Sequence, residues 1–397
     1  MEEHARGFRL PGTPEGRGWT AWVVLAVVIA VILVAKVNQS HVTKTYFPTA
    51  ETWWGGEHDI YTPGIKGYLY LPQSVHLFSL FLVFPEGPVR EIAWRLFGLA
   101  LLAFGLRRVL RRVTPGGGAR HFELVTILIL LATVSSARNG QTNLHLAGIM
   151  LHACADLIDK RWWRATLWLW GGMLAKPIAA VMLLLVGALV PAMRGRLAVG
   201  LVAFAALPYL HLDPSYVTEQ YRLAFEKLGR SSQPGAKPYD DMIGILRRLG
   251  IELPQLARTA MAGAMALVTL GLAALAMRRG SRREGFWALT ALAAAYLMLF
   301  NPRTETNSYV ILAPWLAMQA AFAWFNPPAR KAARLGFTAG TLALGADNYG
   351  RAVLNASRGL VKPLVALGFY VWLAISIVRL PDRPLLPAAS DAPDASA

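Results

Sequence analysis

Apolar blocks of about 15 to 22 residues recur along this chain, divided by short arginine-rich knots, and few folds can accommodate that pattern. In hydrocarbon the backbone must satisfy its own polar groups, so blocks of this length predict membrane-crossing helices. The knots read "RRVLRR" at 107–112, "DKRWWR" at 159–164, "RGR" at 194–196, "RRGSRR" at 278–283 and "ARKAAR" at 329–334, followed by Arg379 and Arg383. Basic residues beside spans mark the cytoplasmic side. The stretches between knots then hold pairs of crossings. Spans are expected at 19–37, 89–106, 121–137, 143–158, 164–176, 178–193, 197–210, 258–277, 285–300, 308–325, 335–346 and 363–378. The break between the fifth and sixth falls at "KPI", because proline disfavours helix at the preceding residue.

The expected fold is therefore an all-α polytopic membrane protein of about twelve transmembrane helices. Residues 1–18 form a cytoplasmic segment, 19–379 the membrane domain, and 380–397 a cytoplasmic tail whose Pro/Ala/Asp-rich end predicts disorder. The first block is long enough to span and no A-x-A-like site follows it, so it reads as an anchor rather than a cleaved signal. Residues 70–86, "YLPQSVHLFSLFLVFPE", are apolar but short, with proline near both ends, and read as an interfacial or re-entrant helix. Loops 38–88 and 211–257 are long and lie opposite the knots, on the extracytoplasmic side. The second carries "SYVTEQYRLAFEKLGR", an amphipathic helical pattern.

Composition narrows the function. Only 16% of residues are charged, against roughly 25% in soluble domains. The net charge of +17 sits in the knots, which argues for membrane topology and against nucleic acid. A single cysteine, Cys154, excludes an intrachain disulfide and a cysteine-rich metal site. Walker and G-x-S-x-G motifs are absent.

Polar residues interrupt the apolar pattern at few places. In "TVSSARNGQTNLHLAG", residues 133–148, Arg138, Asn139, Gln141 and Asn143 sit between two spans. Such groups line a cavity, face water or perform chemistry. Arg138 can bind a phosphate bidentately or anchor at the membrane surface. Asn139, Gln141 and Asn143 can hold sugar hydroxyls, or Thr142 or Asn143 can cap the next helix. Lys176 lies within some 30 apolar residues and either snorkels or binds an anion. Arg303 and Glu305, in the late turn, are either a structural pair or a phosphate clamp. In the first loop, Glu51, Glu57 and Asp59 are candidate bases or members of a solvated loop tip. Trp53 and Trp54 are interfacial anchors or a sugar-stacking platform. His145 reads as structural.

The segments "ARNGQTNLHLAGIMLHACADLIDKRWW" and "LWGGMLAKPIAAVMLLLVGALV" together resemble the polyprenol-phosphate-mannose-dependent mannosyltransferase-like family of GT-C membrane glycosyltransferases. "AETWWGGEHDIYTPGIKGYLYLPQSVHLF" is similar to that family's first-loop pattern, and "NPRTETNSYVILAPWLA" to its late segment. The resemblance covers roughly residues 40 to 320. It implies a GT-C-like helical bundle in the cell membrane with its active site at the extracytoplasmic face. The donor would be a polyprenyl-monophosphate-linked hexose, mannose in the family, and the acceptor a glycan or glycolipid. No cofactor or metal is expected, since one phosphate needs less charge neutralisation than a nucleotide diphosphate. The resemblance assigns the catalytic base to an acid of the first loop. Family members commonly carry an Asp before the loop tyrosines; here "SHVTKTYFPTAE" has none, leaving Glu51, Glu57 and Asp59. Two other classes stay open: a non-catalytic relative that binds a polyprenyl lipid, and a lipid or sugar-lipid transporter.

Overall fold

The computed structural model describes residues 12–35, 42–56, 58–62, 67–231, 239–301, 304–326, 330–357 and 360–388. Its helices are α1 (Pro14–Ala35), α2 (Thr43–Gly55), α3 (Ser74–Ser79), α4 (Pro88–Val113), α5 (Ala119–Asn139), α6 (Asn143–Ile158), α7 (Trp162–Ala175), α8 (Ala180–Leu189) and α9 (Pro191–Ala206). After them come α10 (Pro214–Ser231), α11 (Met242–Arg248), α12 (Gln255–Arg279), α13 (Arg282–Phe300), α14 (Ala313–Phe325), α15 (Lys331–Ala343), α16 (Arg351–Ser357) and α17 (Val361–Val378). No strand occurs among the described residues. The protein is an all-α polytopic bundle, and a helix stands at each of the twelve expected spans. By length and composition five helical stretches can cross a membrane: Pro14–Ala35, Pro115–Asn139, Pro191–Leu210, Gln255–Arg279 and Val361–Val378. The other helices are shorter or, like the 26-residue α4, carry more charge. Every residue of α6 is buried, as expected of a helix apolar on all sides.

α6 packs most tightly on α4. A Cβ at Gly148 would lie 2.5 Å from the Leu101 carbonyl carbon, and one at Gly105 would lie 2.9 Å from the Gly148 oxygen. Two facing glycines thus let the backbones touch, the small-residue packing typical of membrane helices.

The bundle has two chemically distinct ends. At one, arginines pair with acids: Arg107 with Glu15 at 2.6 Å, Arg108 with Asp156 at 2.5 Å and Arg112 with Asp159 from the first knot, and Arg17 of α1 with Glu123 at 2.5 Å. Arg283 joins them through the Arg112 carbonyl, and Arg196 through the Trp163 ring. At the other end lie the first loop, the turn after α5, the end of α7, α10, α11 and the turn before α14. Asp240 donates its backbone N–H to the Thr304 carbonyl there, and Lys362 bridges Asp347 and the Thr306 carbonyl.

The first loop and α10 form one layer. Gln220 of α10 is buried; its amide oxygen accepts from Ile60 N and its amide nitrogen donates to Asp59. Tyr216 reaches the His58 carbonyl and Lys227 the Thr62 carbonyl. Residues 70–86 hold the six-residue α3, which is shorter than a bilayer-spanning helix.

Three boundaries differ from expectation. α1 begins at Pro14, ahead of the span expected from residue 19: Thr13 accepts from Gly16 N through its hydroxyl, and Glu15 in the first turn pairs with Arg107. The break expected at 194–196 lies at Val190, where Pro191 starts α9, and "RGR" falls inside that helix. Residues 380–388 are not a loose tail: Leu385 and Leu386 are buried, with Leu385 held by the Glu284 carboxylate and the Gln319 amide. Segments 1–11 and 389–397 lie outside the described residues.

Candidate functional site

The "RNGQTN" turn is built by a helix stop. α5 ends at Asn139, and Gly140 comes next in the left-handed region at φ 66°. Gly140 N donates to the Ala137 carbonyl at 3.1 Å and Gln141 N to the Ser136 carbonyl at 3.3 Å, a Schellman ending. The remaining carbonyls are taken from outside. Buried Arg95 donates to the Ala137 carbonyl at 3.0 Å and to the Arg138 carbonyl at 3.4 Å, while ion-paired with Glu91. Trp94 Nε1 donates to the Gly140 carbonyl at 2.8 Å, and Val42 N to that of Asn139 at 3.2 Å. A side chain at position 140 would meet Arg95 Nη2 and Thr43 Cγ2, both at 2.8 Å. The turn is therefore pinned on all sides before any ligand arrives.

Asn143 opens α6 and joins the polar groups of three segments. Its Oδ1 accepts from Lys176 Nζ at 2.7 Å. Its Nδ2 donates to Gln141 Oε1 at 2.6 Å and more weakly to Asn307 Oδ1 and Ser308 Oγ. Gln141 Nε2 in turn donates to Glu305 Oε2 at 2.7 Å. Thr142, a candidate helix cap, makes no side-chain cap; its hydroxyl meets Tyr70 OH at 3.1 Å, which meets Tyr46 OH at 2.6 Å. Burial lifts both phenols above their ordinary pKa, so they stay neutral hydrogen-bonding groups.

Lys176 arrives because α7 is broken by Pro177. Its backbone is extended, at φ −164° and ψ 132°, and its N–H still bonds the Gly172 carbonyl. A cavity of about 340 Å³ opens here, lined among others by Tyr46, Tyr70, Gln141, Lys176, Asn301 and Glu305. Residues far apart in sequence thus place one ammonium, one carboxylate, two phenols and two amides around one space.

A family model settles which class of protein carries this cavity. The model of glycosyltransferase family 87 matches residues 68–302, more than half of the chain. The chain belongs to glycosyltransferase family 87. No curated protein matches it. The family 87 segment contains Tyr70, Gln141, Asn143, Lys176 and Asn301, whereas Tyr46 and Glu305 stand outside it. Membership makes the protein a membrane glycosyltransferase, a coarser statement than the mannosyltransferase resemblance of its motifs.

The other expected residues of this family 87 chain are placed apart. Arg138 is exposed at the end of α5 and does not line the cavity. Asn139 contributes its carbonyl to Val42. Glu51 ion-pairs with Arg90 at 2.7 Å and lines a second cavity of about 340 Å³, together with Lys44 and Glu91. The two cavities use opposite faces of α2: Thr45 and Tyr46 line one, Lys44 and Glu51 the other. Asp59 is held by Gln220, and Glu57 and Arg303 lie outside the described residues. Trp53 is buried, while Trp54 is 46% exposed and donates to Ser79. His145 stacks on Trp94 at 3.9 Å, in a structural position.

Sequence alone does not single out Arg95, Asn301 or Ser308. Arg95 carries a signal, a charge four residues after Glu91 at the head of an apolar run. Tyr70 lies within the first-loop pattern, but nothing in the sequence points it at Thr142.

Proposed function

We propose that the protein transfers a hexose, mannose by resemblance, from a polyprenyl monophosphate to a hydroxyl of a glycan or glycolipid, in a GT-C-like bundle. The reaction would take place at the extracytoplasmic face of the cell membrane. The observation that carries this reading is Lys176. Its ammonium lies at the rim of an apolar helix, faces a cavity, and is held by the neutral Asn143 rather than by a carboxylate. A cation so placed suits the phosphate of an amphiphile whose tail stays in lipid.

The chemistry follows from that placement. The acceptor oxygen attacks the anomeric carbon and gives its proton to a base. The bond from that carbon to the phosphate oxygen breaks, and the electron pair leaves with the phosphate. Lys176 stabilises the charge that grows on the leaving group. Gln141 and Asn143 hold the sugar side of the donor. A base must reach the acceptor oxygen. Glu305 is the carboxylate on this cavity among the described residues, so it is the base favoured here. Glu51, across α2, and Asp59 are the competing assignments.

Turnover of a polyprenyl-phosphate sugar tests the reading. Lys176→Ala should weaken polyprenyl phosphate binding about tenfold or more. Glu305→Gln should cost about 10²–10⁴-fold in rate with expression kept. A loss of that size in Glu51→Gln or Asp59→Asn, with Glu305→Gln mild, would move the base to the first loop. One observation favours a second reading: none of the described first-loop acids, Glu51, Asp59 and Glu86, lines the Lys176 cavity. Polyprenyl phosphate binding without any turnover would establish a non-catalytic lipid-binding relative, and movement of the lipid across vesicles a transporter.

A further inference from the structure

The Lys176 cavity has a neighbour that the donor reading does not use. A hollow of about 340 Å³ lies between α11, α12 and the last turn of α13, and Asn301 lines both spaces. Arg247 and Arg258 face it. Arg258 commits its Nε to the Leu253 carbonyl at 2.7 Å. Arg247 Nε is buried and donates to no described atom, which costs stability unless a ligand supplies the acceptor. Asp241 is the carboxylate on the lining among the described residues, and it caps α11 by accepting from Gly244 N at 2.8 Å. Two guanidiniums against one carboxylate leave the space positive.

Met261, Ala262, Leu299 and Phe300 form an apolar side of the lining, while Gln255, Thr259 and Asn301 add neutral polar groups. α12 supplies one wall, and it is one of the five stretches able to cross a membrane. Away from the cavity it exposes Leu256 at 81% and Leu267 at 71%, a surface suited to lipid. The cavity therefore combines a fork-shaped cationic site, an apolar wall, a lipid-facing helix and a shared residue with the candidate donor space.

We propose that this cavity is the acceptor site and takes a phosphate-bearing amphiphile. Arg247 and Arg258 hold its phosphate, its apolar part lies along α12, and its hydroxyl end passes Asn301 toward the donor. The assignment of acceptor rests on the donor reading of the Lys176 cavity; the anion site itself does not.

Binding measured without turnover separates the two. The probes are phosphatidylglycerol and undecaprenyl phosphate, titrated against the full chain in phosphatidylcholine nanodiscs. Arg247→Gln combined with Arg258→Gln should weaken phosphatidylglycerol about tenfold or more and leave undecaprenyl phosphate unchanged. Lys176→Ala should do the reverse. Lysine at both arginine positions keeps the charge but not the guanidinium fork, so its binding should fall between that of the unaltered chain and that of the glutamine pair; full retention would overturn recognition by the fork. Unchanged phosphatidylglycerol binding in the glutamine pair overturns the site. Displacement by inorganic phosphate as effective as displacement by lipid shows a free-phosphate site and overturns the amphiphile. Undecaprenyl phosphate lost through the arginines and not through Lys176 overturns both the acceptor assignment and the donor reading while leaving an anion site.

Discussion

A buried amide with four side-chain partners, Asn143, sets the geometry of the candidate site. Its oxygen orients Lys176 and its nitrogen fixes Gln141, so one carboxamide connects two helix ends and the turn before α14. Asn143→Ala leaves Lys176 without its acceptor. The expected outcome is weaker polyprenyl phosphate binding, and in combination with Lys176→Ala a loss smaller than the sum, because both act on one ammonium; an equilibrium binding cycle checks it. Arg95 is the structural counterpart. It is 1% exposed and holds α5's last carbonyls while paired with Glu91. Arg95→Met strands that carboxylate and uncaps the helix, and about 3–5 kcal/mol of destabilisation is expected, read as a fall in Tm. Lys176 and Asn143 are legible in the sequence because polar groups in apolar runs are conspicuous. Arg95 is not, because an arginine near a span's end looks like an anchor until its partners are seen.

Elements meet here through glycine. The α4–α6 seam depends on Gly148 and Gly105, where any Cβ enters the opposing helix. Gly148→Ala should destabilise by about 1–3 kcal/mol through overpacking, with a lowered Tm. An unchanged Tm would mean that the helices can move apart at no cost. Gly140→Ala acts differently: its left-handed φ of 66° and its contacts with Arg95 and Thr43 both oppose a side chain, so turnover should fall along with Tm. The turn itself is readable, since Asn-Gly after an apolar run is a helix stop. The helix break at Lys176 is equally readable from the proline after it. The shift of the next break to Val190 is not, because arginines signal a membrane side but do not terminate a helix, whereas Pro191 starts one.

At the scale of the molecule, polar chemistry separates to two ends, one of paired arginines and one of loops and cavities. The proposed orientation predicts labelling. Cys154 is buried and silent, so single cysteines introduced at the exposed Asp59 and Arg282 report cleanly. Asp59→Cys should react with a membrane-impermeant maleimide in intact cells, and Arg282→Cys only after permeabilisation. The reverse pattern would place the candidate site in the cytoplasm. By itself the sequence determined the helical class, the twelve helical segments and the end of the bundle each turn belongs to, because block length, proline and arginine position act locally along the chain. Tertiary structure alone decided which polar residues share a cavity. It drew Gln141, Lys176 and Glu305 together, left Arg138 exposed, put Glu51 across α2, and set Arg247 and Arg258 beside Asn301. Those outcomes depend on how each helix is rotated and packed, which close contacts such as Gly148 against Leu101 fix and which no spacing within one segment encodes.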